Sequence, residues 1–144
     1  MLNAKISNVG LASLFSRWSL GLFVGMIGFH KVFILSPKVH AENFFIAGFK
    51  DHWIPEFLLN ILGYSIPFVE LAVGLLLFIG YKVRETLITL GVLLTIVAYG
   101  HLLQSAFYDP SSHFLPRFAL MILLFLIYSK EDKLALEHCF FNKK

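Results

Sequence analysis

The stretch Tyr64–Thr86, YSIPFVELAVGLLLFIGYKVRET, decides the fold class. Eleven of the thirteen residues from Ile66 to Phe78 are apolar or glycine, and the two exceptions are Pro67 and the acid Glu70. The run shows no period-two alternation, so it reads as a helix rather than a strand. Its length suits the roughly 20 residues that cross about 30 Å of hydrocarbon. An ionised group at the centre of such a helix costs about 2.5 to 3.5 kcal/mol, against about 0.3 to 0.6 gained per Leu, Ile, Phe or Val. Glu70 therefore offsets roughly six apolar neighbours and is expected to face protein rather than lipid.

The rest of the chain extends this reading. Of 144 residues, 58% are hydrophobic and only 15% charged, where soluble domains lie near about 25% charged. Sixteen Phe cannot all be hidden in the core of so short a chain. Four runs are long and apolar enough to span, at about Phe15–Leu35, Phe57–Gly80, Thr86–Phe107 and Phe114–Ser129. In lipid only helices and closed barrels satisfy their own backbone groups. The sequence predicts one all-α domain over residues 1–144, an integral membrane four-helix bundle.

The connections set its orientation. Lys5, Lys82, Arg84, Lys130, Lys133, Lys143 and Lys144 fall on one side, while the other holds Lys38 and Lys50 and a third connection, YDPSSH, without Lys or Arg. The positive-inside rule then puts both termini in the cytoplasm, and the membrane that the chain crosses several times is expected to be the cell's inner membrane. The first connection, SPKVHAENFFIAGFKDHWIPEF, is too apolar for a solvated loop and predicts a short interfacial helix ending near Gly48, then an aromatic turn stopped by Pro55. The tail KEDKLALEHCFFNKK reads as a second surface segment, with Leu134, Leu136, Phe140 and Phe141 offered to lipid. The first apolar run, interrupted by Arg17 and Lys31, is expected to be retained rather than cleaved as a signal.

Several chemistries are excluded early. One cysteine, Cys139, allows no intrachain disulfide, no CxxC redox pair and no cysteine zinc site, and no metal site is expected. The net charge of +3 is scattered between apolar runs and forms no stripe, so nucleic acid is not an expected partner. No nucleotide loop, HExxH or nucleophile elbow is present.

What remains is a short set of polar groups inside the spans: Arg17, His30, Lys31, Glu70, His101 and Arg117. At about 1.5 Å per residue, Glu70 and Arg117 lie roughly 15 to 18 Å from the cytoplasmic ends, and Lys31 and His101 roughly 22 to 24 Å. These four are expected to meet in the outer half, Glu70 pairing with Arg117 or Lys31. They form a candidate ligand-binding or proton-relay site, in which Lys31 and Arg117 hold an anionic or carbonyl-bearing ligand and Glu70 and His101 exchange protons. The bland alternative is a closed pair that only fixes helix register. Arg17 and Arg84 are expected as structural charges near the cytoplasmic boundary, Arg17 snorkelling or pairing with Glu85 or lipid phosphate. His40, His52 and His113 fall in the connections and are expected to be solvated. Haem held by His30 and His101 is not expected, because two histidines alone establish neither matched depth nor room for the ring. Gly21 and Gly25 form a GxxxG that permits close helix approach, within the bundle or between copies.

The residues together resemble the DoxX family. The likeness runs over about residues 11–129 and rests on SRWSLGLF with Arg17, GFHKVF with Lys31, PFVELAVGLLLFIGYKVRETL with Glu70 and Arg84, GHLL closing the third helix, and Arg117 opening the fourth. The family comprises small four-helix membrane proteins, named by likeness to a subunit of an archaeal thiosulfate:quinone oxidoreductase, and some members are associated with redox or oxidative-stress complexes. The resemblance implies an accessory or quinone-binding component of a membrane oxidoreductase assembly. It carries no agreed catalytic residues. Other readings of the residues are a non-enzymatic structural subunit or assembly factor, associating with other membrane subunits or with itself, and a small-solute or proton carrier.

Overall fold

A computed structural model of the chain describes residues 7–105, 114–128, 132 and 134–141. The described residues are all-helical, without strands. Helix α1 is Asn8–Phe29 and continues as a π-helical run, His30–Ile34. Helix α2 is Pro37–His40 and passes into a second π-helical run, Ala41–Ile46. Helices α3 (Glu56–Ile79), α4 (Val83–Gln104), α5 (Leu115–Ile127) and α6 (Leu136–Phe141) follow.

Among the described residues, three helices are long and apolar enough to cross a membrane: Asn8–Ile34, Glu56–Ile79 and Val83–Gln104. Helix α5 is apolar too, but its 13 residues rise only about 20 Å, short of a full crossing. The expected third span is displaced: α4 begins three residues before Thr86 and ends at Gln104. The third connection with His113, and the lysines at 5, 130, 133, 143 and 144, lie outside the described residues.

Capping explains where the helices start and stop. Ser7 accepts from Gly10 N at 3.1 Å and opens α1. Pro37 cannot continue a helix from Leu35, and Ser36, at φ 73°, turns the chain and caps α2 by accepting from Val39 N. Gly80 ends α3 in the left-handed region at φ 74°, and Tyr81 N returns to Leu76 O at 3.0 Å. Lys82, at φ 45°, completes the tight turn into α4.

Helix α1 packs along α3 and against α5, and α4 packs against α3 and α5. The α1–α3 seam is made by glycine. A Cβ at Gly21 would stand 2.9 Å from Gly74 O and from Phe78 N, one at Gly28 would overlap Leu71 N, and one at Gly74 would overlap the Gly25 backbone. The order Gly21–Phe78, Gly25–Gly74, Gly28–Leu71 makes the two helices antiparallel. The GxxxG face is thus occupied inside the chain, which removes it as a surface for other subunits. Leu20, Val24, Ile66, Val73, Leu77, Leu87, Leu90, Met121 and Leu124 form the core. Phe23, Met26, Phe68, Val92 and Ile122, from the four longest helices, are more than half exposed on the outside. An exterior of that composition suits hydrocarbon.

The first connection holds the short helical segment expected there, over Pro37–Ile46, and packs it on protein. Ala41 is fully buried, and His40 and Phe49 nearly so. The segment docks on α3, where Gly63 leaves room for Ala41.

Candidate functional site

Ionisable groups gather at both ends of the α1–α3 seam. At the end that carries the α3–α4 turn, Arg17 is completely buried. Its Nε donates to Asp132 Oδ2 at 3.1 Å, and its Nη1 donates to the carbonyls of Leu77 at 2.8 Å and Phe78 at 2.6 Å. Ser13 Oγ donates to the same Asp132 oxygen at 3.2 Å. This corrects the expectation of a snorkelling Arg17 paired with Glu85 or lipid phosphate. The last turn of α3 leaves carbonyls without helical donors, and a guanidinium on the neighbouring helix satisfies two of them.

The tail completes that end. Glu137 N donates to Gly80 O at 3.1 Å, and Glu137 Oε2 accepts from Val83 N at 3.1 Å, capping α4. Tyr128 Oη donates to Glu137 Oε1. The tail therefore docks on protein through Glu137 and the buried Ala135; of the residues expected to face lipid, Leu134 is exposed, Leu136 is half-buried, and the side chains of Phe140 and Phe141 lie outside the described residues. A cavity of about 320 Å3 opens here between Tyr81, Lys82, Glu85, Glu137 and His138. Arg84 is exposed at the start of α4.

At the other end, where the first connection docks, Lys31 and Glu70 meet. Lys31 Nζ donates to Glu70 Oε1 at 3.0 Å and stands 2.8 Å from Oε2. Oε2 therefore lies at ion-pair distance from the same ammonium, and it has no other donor among the described residues. Lys31 keeps 21% of its side chain exposed, against 10% for Glu70. Of the two partners expected for Glu70, the structure thus selects Lys31; Arg117, in the first turn of α5, acts on Glu70 by charge. His101 sits half-buried in the last turn of α4, edge-to-face on Phe114 at 5.7 Å. His30 is exposed on the outside of the helix.

Two histidines expected in solvent are in the structure. His40 is 4% exposed and its Nδ1 lies 2.7 Å from Gly63 O. Burial holds its imidazole below the ordinary 6.5, the Gly63 bond acts the other way, and the charge of Lys31 reinforces burial. His52 Nε2 meets Leu103 O at 3.1 Å, which ties the first connection to the end of α4. The sequence held a signal for His40: Pro67 within α3 leaves the carbonyl of Gly63 without its helical N–H, and a nearby donor is needed. No comparable signal marked Asp132, an acid within the polar run KEDK.

Chemically, the Lys31 end offers an ammonium with donors beyond the one given to Oε1 and a buried carboxylate able to accept. No group of three His, Cys, Asp or Glu that could hold a metal ion is present among the described residues. No family model, no curated protein and no solved structure matches the chain.

Proposed function

We propose that the chain is a DoxX-like four-helix inner-membrane protein with both termini cytoplasmic, and that it serves as a quinone-binding or accessory component of a membrane oxidoreductase assembly. The observation that carries this reading is the Lys31–Glu70 pair, a carboxylate within an apolar helix met by an ammonium that keeps 21% of its side chain exposed. Lys31 has N–H donors beyond the one given to Oε1 and keeps part of its side chain exposed, so the pair can engage a polar ligand without being broken. A ring bearing carbonyl and hydroxyl groups suits these two residues: Lys31 would donate to the carbonyl and Glu70 would accept from the hydroxyl. Arg117 adds positive charge that acts on Glu70. A bound quinone would supply the redox chemistry, and these residues would bind and orient it.

A second reading has its own support. Lys31 already reaches both carboxylate oxygens within 3.0 Å, as a closed structural pin would. The protein would then act as a structural subunit or assembly factor, associating through its exposed aromatic exterior. Purification in mild detergent, with mass spectrometry of the extracted lipids and of co-purifying proteins, separates the two. Quinone retained near one per chain supports the first; stoichiometric partner proteins with no quinone above the membrane background support the second.

A further inference from the structure

Pro67 stands inside α3 and carries no N–H, so the carbonyl four residues earlier, at Gly63, lacks its helical donor. His40 supplies the missing donor from the first connection. A carbonyl only accepts, so Nδ1 holds the proton, and Nε2 is the nitrogen left to take a second one. The fit around this bond is close. A Cβ at Gly63 would stand 2.8 Å from both Cα and Cβ of Ala41, and the rings of Phe44 and Phe45 flank the imidazole at 5.7 and 5.3 Å.

Gly63 and Glu70 are about two turns apart on one face of α3, roughly 10 Å along its axis. Lys31 is fastened at Glu70 and His40 at Gly63, so the two residues bracket the Ser36 turn and staple it to α3 at both sides. Ser36 sits at φ 73°, in the left-handed region that a side chain disfavours. A backbone held there persists only while its surroundings fix it.

We propose that His40 is a positioning residue of the Lys31–Glu70 site: its neutral Nδ1–H form holds the segment 37–46 on α3, and a proton on Nε2 loosens that hold and with it the Lys31–Glu70 contact. The charges around the imidazole set the direction. Lys31, from the run that ends α1, acts on it directly, and Glu70 on α3 is already engaged with Lys31. Lys38 and Glu42, on His40's own segment, are exposed and pair with each other at 3.8 Å. Arg117 on α5 acts by its positive charge on Glu70. A protonated His40 therefore meets a second cation in a place where burial leaves little water.

The inference rests on the preceding reading only in treating Lys31–Glu70 as a working site; its test reads the attachment and needs no ligand. Amide hydrogen exchange of residues 37–49, corrected for intrinsic rates, is followed in the full-length protein in nanodiscs from about pH 7.5 to about pH 5. The wild type is expected to lose protection by up to about tenfold per pH unit below the ordinary imidazole value. His40→Asn, whose amide reproduces the Nδ1 donor and has no titrating nitrogen, is expected to keep the neutral-pH protection and lose the pH dependence. His40→Leu is expected to lose protection at every pH. A His40→Asn protein with the wild-type pH slope, or a His40→Leu protein as protected as the wild type, would overturn the proposal. So would a wild-type profile flat across the range.

Discussion

Arg17, near the start of α1, and Lys31, in the π-helical run that ends it, each meet a carboxylate, and the surroundings of the two pairs differ. Arg17 and Asp132 are essentially without exposed surface, and the pair is enclosed by Ser13 and by two carbonyls at the end of α3. Lys31 and Glu70 have one another, a partly exposed ammonium and a carboxylate oxygen with no other donor among the described residues. A charge tied to main-chain groups of another helix fixes where that helix and the tail must sit. A charge whose single partner lies in the apolar interior, at the edge of the exposed surface, is a place where another molecule can take part. The contrast does not lie in unsatisfied atoms, since Arg17 Nη2 and Asp132 Oδ1 also lack hydrogen-bond partners among the described residues; it lies in the exposure of Lys31 and in the main-chain carbonyls that hold Arg17.

The largest expected effect tests the enclosed pair. Asp132→Leu leaves Arg17 buried without its carboxylate and should lower stability by about 3 to 5 kcal/mol, read as thermal unfolding in detergent. Adding Arg17→Leu to that variant should restore part of the loss, since the uncompensated charge is then gone. If Asp132→Leu is silent, the two ends of the molecule do not differ as described. Next in size is Gly74→Val, whose side chain has no room against Gly25. Overpacking of this kind costs about 1 to 3 kcal/mol or more, and wild-type stability in this variant would mean that α1 and α3 are not held by their glycines.

A smaller effect comes from pH. Because the folded His40 has its imidazole below the ordinary 6.5, its contribution is complete above that pH. It is lost as pH falls through 6.5 toward the folded value, and is constant below it. Unfolding temperatures should therefore drop on acidification in the wild type and less so in His40→Asn. An equal drop in both would remove His40 from the account. Smallest of all, Arg84→Ala removes an exposed charge and should change stability by no more than about 0.5 kcal/mol. A larger change would show that the turn end depends on more than Arg17, Asp132 and Glu137.

What could be read in the sequence follows from where polar residues are anomalous. Glu70 and Lys31 stood out because each interrupts an apolar helix, and their depths placed them near one another. The antiparallel glycine seam was half legible: Gly21 and Gly25 announced a close approach, but only folding shows that the partner is Gly74 of the same chain. Asp132 and Glu137 were not legible, because acids in a charged tail look solvated whatever they touch. Arg17 was misplaced for the same reason, since its partners include main-chain carbonyls, which no sequence pattern displays. His40 lay between these cases. Pro67 declares that the carbonyl of Gly63 needs a donor, yet which residue supplies it depends on the first connection folding back over α3, and that path is set by the Ser36 turn.

The central claim is that the Lys31–Glu70 end binds a small carbonyl-bearing ligand while the Arg17–Asp132 end only builds the fold. It is tested most directly by titrating a water-soluble quinone analogue into the purified wild type and Glu70→Gln, with thermal unfolding measured on the same samples. The account predicts saturable binding to the wild type and an affinity weaker by at least about tenfold in Glu70→Gln, equivalent to about 1.4 kcal/mol, at a nearly unchanged unfolding temperature. Equal binding by both proteins, or none by the wild type, would contradict it.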